Sequence, residues 1–254
     1  AAVMTKVTGP RWVNFHCHLD LYPDHASIIR QCDQAYIATL AVTTTPKAWP
    51  RNREMTARSR LVRVALGLHP QLVAERSAEV ALFERYLPEA RYIGEIGLDA
   101  GPRFYRSLQE QEQVLDRMLR ASAEQGRKVA SLHSVRSVAK VLAALEATRF
   151  IDTSKAVLHW FTGTQAETRR AVEMGCYSSI NAEMLRTERN RKLVASLPLD
   201  RLLTETDGPF VETPRGTVLP RDVQGTAVRL AEVFGFTTED MRSGLISNLR
   251  ELLN

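Results

Sequence analysis

The sequence predicts an α/β chain whose eight strands and intervening helices close into a (β/α)8 TIM barrel. Three observations carry that expectation. Short β-branched or apolar runs alternate with longer helix-patterned segments along most of the 254 residues, the order that builds a parallel sheet. No low-complexity stretch, internal repeat or Gly/Ser linker divides the chain. Histidines and carboxylates recur where the expected strands end, the side of a barrel on which active sites are built. An open doubly wound sheet is the alternative, since pattern alone does not reveal closure.

The expected strands occupy residues 11–16, 36–42, 62–67, 91–96, 128–133, 156–160, 176–181 and 201–206. The clearest helix runs over 106–125, where Leu108, Leu115, Met118, Leu119 and Ser122 share one face and Gly126 closes the end. A last helix places Met241, Leu245, Leu249 and Leu252 on one stripe behind a Thr238 cap. A single barrel domain over 1–254 is expected, with 1–10 as a short N-terminal extension and the residues ahead of Met4 as an appended tag.

With 44% hydrophobic and 25% charged residues, the composition is that of an ordinary water-soluble globular protein. No apolar run approaches a membrane span and no secretory signal is visible, which argues against a membrane partner. Three cysteines, Cys17, Cys32 and Cys176, lack CxxC spacing and suit a reducing cytoplasm. The net charge is +5, and the basic residues are six lysines and 28 arginines. Guanidinium forks favour phosphate-bearing partners. A GC-rich genome gives the same bias, however, so charge alone is a weak vote for nucleic acid.

The stretch "VNFHCHLD" raises the chemical question. His16 and His18 are two apart at the end of an apolar run, so in a strand both imidazoles face one side. Cys17 between them points the other way. Glu95, His133, His159 and Asp207 lie at or just after later strand ends, so six polar groups converge on one mouth. A buried glutamate is costly unless paired or metal-bound. Taken singly, each residue reads nearly as well as an ordinary satisfied side chain; as a set they read as a metal centre. Four imidazoles and two carboxylates suffice for two divalent ions, with magnesium, manganese and zinc as candidates and Glu95 as the natural bridge. Such a pair activates water and holds phosphoryl oxygens.

The motifs "HCHLD", "GLHP", "GEIGLD", "LHS", "HWFTG" and "ETDGP", in that order, resemble those of the TatD-family metal-dependent deoxyribonucleases, within the amidohydrolase-like metal barrels. The resemblance spans about residues 12–209. The stretches "FHCHLDLYPD", "HWFTG" and "LTETDGPF" are especially similar to the TatD-like nucleases of the Qat anti-phage defence system. The resemblance implies one ion on His16, His18, Glu95 and Asp207, and a second on Glu95, His133 and His159. It implies that Glu205 touches a ligand or the activated water, and that His69 meets substrate phosphate. For both, a hydrogen bond that orients a ligand is the competing role. Glu95, Glu205 and Asp207 are then the catalytic carboxylates of a hydrolase that trims DNA from the 3′ end. The implied partners are DNA, single-stranded or with a free 3′ end, and other proteins of a defence system.

Two departures from the family pattern stand out. Asn14 occupies a place where aspartate is frequent, and it can still orient an imidazole but adds no charge. Val135 displaces the expected arginine, leaving Arg136 one position further on as the candidate phosphate contact. After the second strand, Trp49 is a candidate to stack on a base and Arg51 and Arg53 to meet phosphates; packing of Trp49 on the rim and solvated arginines are the equal alternative. Arg186, Arg189, Arg191 and Lys192 form either another phosphate contact or a polar helix face. Rival functions are a different hydrolase on the same barrel, acting on a cyclic amide, a base or a phosphotriester, and a metal-bearing scaffold that binds without cutting.

Overall fold

The computed structural model describes residues 9–254; residues 1–8 of the expected extension lie outside them. Eight parallel strands form the wall: β1 (Trp12–Cys17), β2 (Ile37–Ala41), β3 (Val62–Val64), β4 (Tyr92–Asp99), β5 (Val129–Val135), β6 (Lys155–His159), β7 (Tyr177–Ile180) and β8 (Leu202–Thr204). Around and between them lie α1 (His25–Gln34), α2 (Trp49–Thr56), α3 (Val73–Arg76), α4 (Val80–Tyr86), α5 (Leu108–Gln125), α6 (Val138–Ala147), α7 (Phe150–Thr153), α8 (Gln165–Glu173), α9 (Glu188–Ala195), α10 (Val223–Phe234) and α11 (Thr238–Leu253). A small hairpin that the sequence pattern did not announce, β9 (Glu212–Thr213) with β10 (Gly216–Thr217), follows β8.

Regular ladders join β1 to β3 and β4 to β8. Two seams close the ring. At the first, the Leu66 N–H donates to the Tyr92 carbonyl (2.9 Å) and the Gly94 N–H to the Leu66 carbonyl (2.9 Å). The Glu95 N–H adds a bond to the Thr43 carbonyl (2.9 Å). Gly67 permits this crossing, because a Cβ there would overlap the backbone of Glu95 and Thr43. At the second seam the Asp207 N–H donates to the His16 carbonyl (2.9 Å) and the His18 N–H to the Gly208 carbonyl (2.8 Å). The barrel is closed, and the open-sheet alternative falls.

All eight expected strands are present, with shifted ends. The shift that bears on the site is in β4, which continues to Asp99 and so leaves Glu95 in mid-strand rather than near its end. Register slips between Ile93 and Ile96, and Gly97, at φ +144°, lets the strand go on: any Cβ there would overlap the His133 carbonyl oxygen. α5 begins at Leu108 because Tyr105–Ser107 form a 3₁₀ turn. α11 is capped by Thr237 rather than Thr238: its hydroxyl accepts from the Asp240 N–H (3.1 Å), and its backbone is extended as a cap requires.

The expected faces are buried. Leu115, Met118, Leu119 and Ser122 of α5, and Met241, Leu245, Leu249 and Leu252 of α11, pack inward, while Leu108 is half-buried. Each fully buried leucine contributes about 1.5–3 kcal/mol. Asn248 ties α11 to the wall, donating to the Leu199 (2.7 Å) and Leu202 (2.8 Å) carbonyls. At the opposite end from the mouth, the Lys128 ammonium donates to the carbonyls of Leu87 (2.9 Å) and Ala90 (2.6 Å). Among the described residues no helix is long and apolar enough to cross a membrane.

Candidate metal centre

Alternation along β1 brings His16 and His18 to the same side, as the two-residue spacing requires. Both Nε2 atoms lie 3.1 Å from Glu95 Oε1 and 3.5 Å from Asp207 Oδ1. Cys17 points away into an apolar cluster. The other Glu95 oxygen, Oε2, lies 2.7 Å from His133 Nδ1, 3.3 Å from His69 Nε2 and 3.8 Å from His159 Nε2. Glu95 is 1% exposed. Its two oxygens therefore face two different sets of imidazoles. His159 lies face to face on His16, with ring centroids 3.5 Å apart, and its Nε2 is also 3.8 Å from Asp207 Oδ1. Asp207 holds a left-handed backbone at φ 54°, a conformation costing a non-glycine residue about 1–3 kcal/mol and found where a side chain must be aimed.

Three of the ring nitrogens turned away from the cluster have partners of their own. His16 Nδ1 is 2.7 Å from the Ser131 hydroxyl. His133 Nε2 is 2.8 Å from Asp99 Oδ2, which also accepts from the Gln71 amide (2.9 Å). His159 Nδ1 is 2.8 Å from Glu205 Oε2. Glu205 takes its remaining bonds from the Ser179 hydroxyl and from Asn181 Nδ2 (2.9 Å). The carboxylates behind His133 and His159 favour a proton on the nitrogen they face and turn the opposite nitrogen to the cluster. The Ser131 hydroxyl, able to donate or accept, orients the His16 ring. Among the four histidines His16, His18, His133 and His159, only His18 has a ring nitrogen, Nδ1, that is buried with no hydrogen-bond partner among the described residues. In His69 the Gln71 N–H donates to Nδ1 (3.1 Å), which puts the ring proton on Nε2 and makes that atom a donor.

The electrostatics follow. Burial alone would raise the Glu95 carboxyl, but His69, His16 and His133 outweigh it and hold it well below its ordinary value. Asp207 is held down against burial by His159, His18 and His16. Burial pushes His18, His133 and His159 down, yet the neighbouring carboxylates prevail and hold them up at about 9, about 8 and about 10. Burial and the stacked His159 ring push His16 down.

This donor set fits divalent metal. Two ionised, buried carboxylates face imidazoles only, and among the described residues no lysine or arginine pairs with either. Ligand-spaced groups are His16–His18–Asp207, His69–Glu95–His133 and His16–His159–Glu205. The third is weakened by the bonds that already occupy Glu205. Mixed imidazole and carboxylate donors suit zinc, manganese or iron, and the carboxylates magnesium.

Six expected ligands thus converge, and Glu205 joins them from behind His159. The expected grip residues fare differently. Trp49 is 2% exposed and packs in the core near Tyr86, with the Arg53 guanidinium 4.5 Å over its ring. It has no free face for a base, which corrects the stacking expectation. Arg53 is also paired with Glu89 (3.1 Å). Arg51 is exposed on α2, and Arg136 is exposed just past β5 with a left-handed backbone. Arg186 pairs with Glu183, Lys192 with Glu188, and Arg191 donates to the Leu185 carbonyl. Asn14, expected to orient an imidazole, instead clamps Thr206 with two 2.9 Å bonds; His16 is steadied by Ser131.

Sequence reasoning missed Asp99, Ser131, Ser179 and Asn181. A signal existed for three of them. Ser131 precedes His133 by two on β5, and Ser179 precedes Asn181 by two, so alternation points each inward.

The comparisons with known proteins agree with this geometry. The family described as TatD related DNase matches residues 13–254. Human deoxyribonuclease TATDN3 is 28% identical over 93% of this chain and 92% of its own. The 3′-5′ ssDNA/RNA exonuclease TatD of Pantoea vagans is 31% identical over 79% of this chain and 76% of its own. The solved structure of YJJV, a TatD homolog from Escherichia coli K12, superposes with a TM-score of 0.85 over 95% of this chain and 97% of that one, at 24% identity. With the match running from β1 to the last helix over a closed barrel and a histidine–carboxylate cluster at its mouth, the chain belongs to the TatD related DNase family.

Proposed function

We propose that the protein is a metal-dependent deoxyribonuclease that hydrolyses DNA phosphodiester bonds with two divalent ions and trims single strands from the 3′ end. The observation that carries it is the division of Glu95, with Oε1 toward His16 and His18 and Oε2 toward His133. His16, His18, Asp207 and Glu95 would hold one ion; Glu95, His133 and His159 would hold the other. When bound, such ions lower the pKa of water and neutralise charge on phosphoryl oxygens. Asp207, ionised and aimed into the cluster, is the group that takes the proton of the attacking water. Glu205 and Asp99 hold His159 and His133 in their ligand tautomers. His69 Nε2 donates to a substrate oxygen in place of Glu95, and Arg136 and Arg51 meet flanking phosphates. Exonuclease direction rests on the relatives' names and the sequence motifs.

We also propose a single barrel domain acting in a reducing cytoplasm, within an anti-phage defence assembly. The reducing compartment is supported by three buried, free cysteines, the defence role by the "FHCHLDLYPD" and "LTETDGPF" stretches.

The test pairs metal analysis with digestion of labelled single-stranded DNA, hydantoin and cytosine. Wild-type protein is expected to hold two ions and shorten only the DNA. Glu95→Ala is expected to lose one ion and nearly all activity. Turnover of the small molecules alone would move the protein to another hydrolase class, and unchanged metal content in the variant would remove Glu95 as a bridge.

A further inference from the structure

Eight large hydrophobic residues are exposed among those described, and four of them, Leu21, Tyr105, Val135 and Phe210, lie at or beyond the C-terminal ends of β1, β4, β5 and β8. Half of the exposed apolar bulk thus lies around the one face that carries the metal centre. Grouped exposure of that kind marks a binding surface, whereas scattered single residues do not. Phe210 is the most exposed, at 62%.

Phe210 is exposed but held. Its N–H donates to the Asp207 carbonyl (2.9 Å), and the chain on either side is fastened by the His18 N–H to Gly208 (2.8 Å) and the Val218 N–H to Val211 (2.9 Å). The Tyr22 hydroxyl donates to the Val218 carbonyl (2.5 Å), pinning the far end of the segment. The ring meets His18 edge to face, with centroids 5.0 Å apart and planes at 86°. An aromatic ring fixed against a ligand histidine, with most of its surface in water, has an unfilled flat partner.

We infer that Phe210 is the platform on which an unpaired nucleobase stacks while the adjoining phosphodiester lies over the Glu95–Asp207 cluster. This rests on the nuclease reading and adds its specificity determinant. A base in a duplex is stacked and paired already, so the platform selects single-stranded or frayed ends. Stacking tolerates every base, which makes the preference one for strand state rather than sequence. Tyr105, across the mouth, lacks a comparable contact with a ligand histidine, and Trp49 is buried.

The experiment measures affinity and turnover separately. Binding is read by anisotropy of a short labelled oligodeoxythymidine with hydrolysis-resistant phosphorothioate linkages, and turnover by digestion of the ordinary strand. Phe210→Ala is expected to weaken binding and raise KM by roughly 5- to 150-fold, the span of one base–aromatic stack, with kcat nearly unchanged. Phe210→Trp is expected to restore both and Phe210→Leu not to. With strands abasic at the terminal positions, wild type and Phe210→Ala are expected to bind alike. Phe236→Ala, which removes an exposed ring remote from the mouth, serves as the control. Equal affinity of wild type and Phe210→Ala for the ordinary strand, or an equal loss on abasic strands, would overturn the platform. A wild type that binds through Phe210 yet never cuts would leave the platform standing and sink the nuclease reading; no binding at all would sink both.

Discussion

Glu205 illustrates how much a single side chain's neighbours decide. It is fully buried, and its oxygens are taken by His159, Ser179 and Asn181. A carboxylate so placed has its oxygens occupied, and in the proposed two-ion site its part would be to orient His159 and make it more basic. Glu205→Gln keeps the shape but removes the charge that favours the ligand tautomer of His159. Metal affinity is expected to fall about 10- to 100-fold, read by titration of the metal-free protein, with a fold unaltered by circular dichroism. Unchanged affinity would show that the charge is dispensable. The same logic explains Asn14. It lacks the charge of the aspartate often found there, and the structure uses it for the β1–β8 seam instead, leaving His16 to Ser131.

Strands β4 and β5 show what one missing Cβ permits. Gly97 brings the β4 backbone against the His133 carbonyl and lets the strand continue to Asp99, which supports His133 from the far side. Gly97→Ala forces the two strands apart. A loss of about 2–4 kcal/mol is expected by urea denaturation, in the range of core overpacking and special-backbone substitutions, together with weaker metal binding at the His133 side. A variant as stable as wild type would mean the strands adjust. The helices were more legible than this: the α5 and α11 stripes lie where the periodicity puts them, because helix faces depend on local spacing alone.

For the whole molecule, closing the barrel concentrates charge. In the metal-free protein His18 and His159, held at about 9 and about 10 against an ordinary 6.5, take up protons that the unfolded chain would not hold at neutral pH. Their folded values are raised, so the stability they give is complete below about pH 6.5 and lost as pH rises through 9 to 10. A divalent ion competes for the same nitrogens. Melting temperature in chelator is expected to fall between pH 6.5 and 10, while the added stabilisation by manganese or zinc grows over that window and binding releases protons. A metal-induced shift independent of pH would contradict the assignment of these imidazoles as ligands.

What the sequence determined by itself was whatever depends on short-range spacing. Alternation put His16 and His18 on one side, helical periodicity drew the apolar stripes, and β–α alternation gave the strand count and hence the mouth where Glu95, His133, His159 and Asp207 meet. Tertiary structure decided closure at the two seams, the mid-strand position of Glu95 and the bonds behind each ligand, since these join residues as far apart as Asn14 and Thr206. It also reassigned the aromatics. From the sequence only Trp49 was a candidate to stack on a base, but burial is a property of the packed molecule, and it sends Trp49 into the core and leaves Phe210 at the rim beside His18.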